Sequence, residues 1–175
     1  MKFRTFSALL AALLLGAGVS AGADENPAST PKQQFETLKK LAGDWVEIDK
    51  DGKPTDKVIS SIRVTSAGSA IQETLFPGGD HEMVTMYFLD GDDLLLTHYC
   101  ALGNQPRMRA EAGQDARRIA FKFVGGTNLK NADEHHMHEA TLTVAGPDRY
   151  QAEWVSCKDG ETCHQVKFDL ARKQK

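Results

Sequence analysis

Four groups of side chains in this chain have the types and spacing to do chemistry. His98 and Cys100 are two apart on one extended segment, so their side chains point the same way. Together with Met83 on the neighbouring segment they offer nitrogen and sulfur donors suited to a soft metal or to haem iron. His136 and His138 have the same spacing, after the acidic loop 131–134, and alternating histidines on a strand can bind zinc or copper. Asn104, Gln105 and Arg107 follow Gly103 around a Gly-Pro turn, a polar set able to orient an anionic or amide-bearing ligand. Cys157 and Cys163 flank Lys158-Asp159-Gly160-Glu161-Thr162, a hairpin loop with Asp-Gly at its centre.

Each group also has a plainer explanation. A histidine beside a cysteine is also a hydrogen-bonded core histidine beside a small buried thiol. Histidines at a strand start are also a solvated rim. Asn104 and Gln105 can satisfy their own turn. No protease, c-type haem, H-E-x-x-H or paired C-x-x-C signature occurs, and no third group is designated to orient a Cys-His pair.

The elements that must position these residues are strands. Turn chemistry recurs every eight to twelve residues, at Asp51-Gly52, Ala67-Gly68, Pro77-Gly78-Gly79, Asp90-Gly91-Asp92, Gly125-Gly126 and Gly146-Pro147-Asp148. Between the turns lie ten alternating segments, at 44–49, 57–65, 69–76, 82–89, 93–101, 107–112, 117–124, 136–144, 149–157 and 162–170. This is the pattern of an all-β, antiparallel up-and-down barrel. Alternation puts Ile119, Phe121 and Phe123, Ala140, Leu142 and Val144, Tyr150, Ala152 and Trp154, and Val166, Phe168 and Leu170 inward. It also puts His136 and His138 on the row of Ala140 and Leu142. A short helix precedes the strands, with Thr30 as its cap, Pro31 at its first position, Gln33 at capping-box spacing, and Phe35, Leu38 and Leu41 as an apolar stripe.

The central hairpin has two faces, both apolar near its turn. One carries Met83, Thr85, Tyr87 and Leu89 with Leu94, Leu96, His98 and Cys100. The other carries Glu82, Val84, Met86 and Phe88 with Leu95, Thr97 and Tyr99. Alternation does not decide between them, so the candidate ligand contacts come from both, with the adjoining loop and the next inward strand: Tyr87, His98, Tyr99, Cys100, Asn104, Gln105, Arg107 and Trp154. A three-residue Asp-Gly-Glu loop would set Cys157 opposite Cys163 and predicts a cross-hairpin disulfide, leaving Cys100 unpaired, with two free thiols as the rival reading.

The first 23 residues have the layout of a secretory signal, with Lys2 and Arg4, an apolar run from Ala8 to Leu15, and Ala21-Gly22-Ala23 for cleavage. The expected product is exported to the periplasm or medium, with a disordered leader at 24–31 and one domain at 32–172. No lipobox cysteine follows the signal, so no stable membrane anchor is expected. Of the 175 residues, with 21 Lys and Arg against 24 Asp and Glu, the signal removes two basic ones. The remainder carries a formal net charge of −5, which argues against nucleic acid or an anionic membrane as the main partner.

Gly43-Asp44-Trp45, opening the first strand after the short helix, resembles the start of a calycin barrel, the superfamily of lipocalins, fatty-acid-binding proteins and nitrobindins. In that resemblance Gly43 begins strand one, the Trp45 indole packs at the closed end, and Arg172 is the matching basic residue from the last strand, stacked over the indole. The stretch from His81 to Met108 is also similar to a group of secreted bacterial proteins. The calycin resemblance implies a lumen holding one small hydrophobic or amphipathic molecule, or haem in the nitrobindin branch, without catalysis. Cofactors are otherwise not called for. The alternatives carried forward are a haem or transition-metal site through His98 and Cys100 or through His136 and His138, a small barrel enzyme using Cys100 or His98, and an envelope interaction module with a packed core.

Overall fold

The computed structural model describes residues 28–112 and 115–174. The expected signal and most of the leader lie outside the described residues. The last leader positions are ordered: Ser29 is buried, Thr30 caps the helix and Pro31 is its first residue.

Helix α1, Pro31–Lys39, starts on a full capping box. Thr30 Oγ1 accepts from the Gln33 amide and Gln33 Oε1 accepts from the Thr30 amide at 2.8 Å. Ten strands follow: β1 Gly43–Ile48, β2 Pro54–Thr65, β3 Ala70–Leu75, β4 Met83–Asp90, β5 Asp93–Tyr99, β6 Gln105–Ala110, β7 Arg118–Thr127, β8 His136–Gly146, β9 Arg149–Lys158 and β10 Glu161–Arg172. Each pairs antiparallel with its sequence neighbours, and β1 pairs with β10, so the sheet closes into an up-and-down barrel with no free edge.

Helix α1 packs against β4 and β5 and closes one end. Its stripe of Phe35, Leu38 and Leu41 is buried in the barrel core. The closing pair sets Trp45 opposite Arg172, and the guanidinium carbon lies 4.4 Å from the indole centroid, the stacked pair expected from the sequence. Trp45 Nε1 donates to the Leu41 carbonyl at 2.7 Å, tying the helix exit to β1. Arg172 also donates to the carbonyls of Lys40, Ala42 and Pro147 and to Asp148. Gly43 leaves room for this side chain: a Cβ there would lie 2.8 Å from Arg172 Nη1, and its φ of +135° is a region that L side chains rarely adopt.

The middle of the lumen is filled by large buried side chains, among them Trp45, Tyr87, Phe121, Tyr150 and Trp154. The sequence-predicted chemical residues other than Tyr87, Trp154 and the Trp45–Arg172 pair gather toward the opposite end, where β1, β3, β5, β7 and β9 finish.

Candidate functional site

Burial, set by the neighbouring strands β3 and β6, decides which hairpin face is inward. Thr85 lies opposite His98 and Tyr87 opposite Leu96. All four are buried, whereas Tyr99 is 50% exposed on the outer wall. The face carrying His98 is therefore the lumenal one, because its partners continue the core while Tyr99, Thr97 and Met86 do not.

His98 is 1% exposed and Trp154, on β9, is 2% exposed; their rings lie 4.8 Å apart, tilted by 40°. His98 Nδ1 is 2.9 Å from Thr85 Oγ1. The other ring nitrogen, Nε2, has no hydrogen-bond partner among the described residues, and neither does the indole Nε1 of Trp154. Burial pulls the His98 pKa down to about 4, so the ring is neutral at neutral pH. Met83, Phe76, Val166 and Phe168 pack partly buried on the core, and Phe76 meets Phe168 edge to face at 5.8 Å. Val166 is the residue opposite Trp154 on β10, so an apolar side chain adjoins the unsatisfied indole.

In the same row as Thr85 and His98, one strand further along, lies a polar group that sequence reasoning missed. Glu73, 1% exposed, has its carboxylate held by three hydroxyls: Ser60 at 2.7 Å, Tyr87 at 2.6 Å and Tyr150 at 3.3 Å. Burial raises its pKa, opposed by these three donors. The signal was present, since Ile71, Glu73 and Leu75 alternate on one face and the charged member sits between two core residues. Tyr87, expected as a ligand contact, is instead committed to Glu73, and Tyr150 also packs edge to face on Trp45 at 4.6 Å.

The rim at the far end is built by loops. Asn104 is buried and donates Nδ2 to the His135 carbonyl at 2.8 Å, while its Oδ1 lacks a partner among the described residues. Gln105 serves its own loop: Oε1 accepts from Thr127 and Asn128 and Nε2 donates to the Gly103 carbonyl. Arg107 and Tyr99 line a groove of about 420 Å³ with Thr97 and Val124, separate from the lumen. The expected contacts thus divide, with His98, Trp154 and Asn104 inside and Tyr99 and Arg107 outside.

All three cysteines are free thiols, so the predicted disulfide is corrected. The β9–β10 turn is a two-residue Asp159-Gly160 turn, both with positive φ, as in a type I′ hairpin. Glu161 therefore pairs with Lys158 and Thr162, not Cys163, faces Cys157. A register break between Thr162 and His164 then turns Cys163 toward Ser156, whose Oγ is 3.3 Å from its Sγ. Burial pushes the Cys100 thiol up, so it is not an activated thiolate.

The inward row expected for β8 also needs correction. A register break between Met137 and Glu139 reverses the alternation, so Met137 packs on the core in place of the histidines. His136 and His138 turn to one another, with His136 Nε2 and His138 Nδ1 3.0 Å apart, and both rings lie on Phe123, at 4.2 and 5.4 Å. No family model and no curated protein matches this chain.

Proposed function

We propose that this protein is an exported binding barrel that takes one small amphipathic molecule in the far end of its lumen, with the ligand's polar group set between His98 and Trp154. The observation that carries the reading is the pair of buried ring nitrogens without partners among the described residues, on rings 4.8 Å apart. A buried polar atom left unsatisfied costs about 1–3 kcal/mol, so two adjacent ones favour a molecule that bonds to them.

The chemistry narrows the ligand. Indole Nε1 is a donor only, so the bound group accepts a hydrogen bond. When Thr85 donates to His98 Nδ1, His98 Nε2–H becomes a second donor on the same group. The ring is neutral, so a neutral carbonyl fits better than a carboxylate, whose buried charge would have no counter-charge. The filled middle of the barrel limits the apolar body to a short one.

Prodan, a neutral naphthalene ketone whose emission responds to hydrogen bonding, tests this reading. Saturable one-to-one binding is expected, weakened at least tenfold in both His98→Phe and Trp154→Phe. Binding of equal strength in folded samples of both variants would defeat it.

A further inference from the structure

On the outer wall of the barrel, Arg107 stands between a hydroxyl and a bare stretch of backbone. It lies opposite Thr97 in the pairing of β5 with β6, and opposite Gly125 in the pairing of β6 with β7. Directly opposed residues set their Cβ atoms about 4.5–5.5 Å apart, so the Thr97 hydroxyl borders Arg107 on one side. On the other side the wall is open, because a Cβ at Gly125 would meet nothing within 4 Å. The β6–β7 register breaks between Arg107 and Met108, which leaves Val124 as the extra residue, 48% exposed. Tyr99, two residues beyond Thr97 on the same strand face, is 50% exposed. Together they form the groove of about 420 Å³, with Arg107 on its middle strand and an exposed ring and valine on the strands to either side.

The groove holds one uncompensated positive charge. The neighbouring cations of this wall are paired, Arg109 with Asp93 at 3.2 Å and Lys122 with Glu139 at 2.6 Å. Arg107 makes no ion pair or hydrogen bond among the described residues, and no acidic residue lines the groove. The rim is fixed in advance: Gln105 Oε1 accepts from Thr127 Oγ1 at 2.7 Å and from Asn128 Nδ2 at 3.1 Å. Less ordering is then lost when a ligand arrives.

These features define the ligand. A guanidinium gives two parallel N–H donors to one carboxylate, and its single charge matches a monoanion. The Thr97 hydroxyl, which also has no partner among the described residues, adds a third donor from the opposite strand. An exposed ion pair contributes little by itself, so the remaining affinity has to come from apolar contact with Tyr99 and Val124, and a flat ring system meets that need.

We propose that this outer groove is a second ligand site, separate from the lumen, which takes a small aromatic monocarboxylate with its carboxylate on Arg107 and Thr97 and its rings against Tyr99 and Val124.

Titration of the full chain with 2-naphthoate, followed by fluorescence and by 15N–1H spectra that include the arginine Nε–H signals, tests the proposal. The expected result is saturable one-to-one binding that moves the arginine signal missing from Arg107→Gln. Affinity should weaken at least tenfold in Arg107→Gln and in Tyr99→Ala. Arg107→Lys, which keeps the charge without the planar fork, should fall between wild type and Arg107→Gln. The neutral analogue 2-naphthalenemethanol should bind at least tenfold more weakly, and folded His98→Phe should bind naphthoate as the wild type does, which separates this groove from the lumen. No saturable binding to the wild type, equal affinity in folded Arg107→Gln, equal affinity for the neutral analogue, or loss of binding in His98→Phe would overturn the proposal.

Discussion

Arg172 lies over the indole of Trp45 with its guanidinium carbon 4.4 Å from the ring centroid, and the same side chain ties the helix exit, the β8–β9 turn and the closing strand pair together. The contact joins the two ends of the barrel sheet. Arg172→Ala should cost about 2–3 kcal/mol in urea unfolding, from charged hydrogen bonds and the cation-π contact. Arg172→Lys should recover less than half, because an ammonium cannot reach the same carbonyls in one planar fork.

Gly43→Ala tests the same corner from the other side. Its φ of +135° and the 2.8 Å approach to Arg172 Nη1 act together, so a loss of about 1–3 kcal/mol is expected in the same assay.

Glu73 makes stability depend on pH in an unusual direction. Its folded pKa is raised above the ordinary 4.5, so above that pH the native state holds more protons than the unfolded chain. Stability from this group is complete at low pH and declines as pH rises through the folded value. Glu73→Gln should remove that decline in urea midpoints measured from pH 4 to 9. Tyr87→Phe should cost about 1–3 kcal/mol by leaving the carboxylate short of a donor.

His98 acts with the opposite sign. Its folded pKa of about 4 lies below the ordinary 6.5, so the unfolded chain binds more protons between these values. Its contribution is complete above 6.5 and is lost as pH falls toward 4. Proton NMR should show the His98 ring without titration above pH 5, and His98→Phe should flatten the acid limb of the stability curve.

The thiols provide a direct check on the β9–β10 register. Unreduced protein unfolded in denaturant should titrate three thiols with a disulfide reagent. In the native state Cys163, on an exposed position, should react first, and Cys100 should react slowest because burial disfavours its thiolate. Fewer than three thiols would contradict the two-residue turn.

The barrel was legible in the sequence because turn residues and alternation repeat at regular spacing, whereas the Trp45–Arg172 pair was expected only through the resemblance carried by Gly43-Asp44-Trp45. What alternation could not supply was register. A two-residue turn in place of a three-residue one moved Cys163 out of reach of Cys157, and a single extra residue at His138 exchanged Met137 for the histidines on the core side. Which face of the central hairpin turned inward was equally hidden, since both are apolar near Gly91 and only the neighbours β3 and β6 decide it. Glu73 was overlooked because a lone acidic residue in a strand reads as an outward one until Ser60, Tyr87 and Tyr150, distant in sequence, are seen to converge on it.

The most direct test uses the two indole N–H signals of the 15N-labelled protein. Trp45 Nε1–H is already bonded to the Leu41 carbonyl, whereas Trp154 Nε1–H has no acceptor among the described residues. On titration with prodan, the Trp154 signal should move downfield and saturate at one equivalent while the Trp45 signal stays in place. A Trp154 signal that does not move while prodan binds, or a titration in which no binding occurs, would contradict a lumenal ligand held between His98 and Trp154.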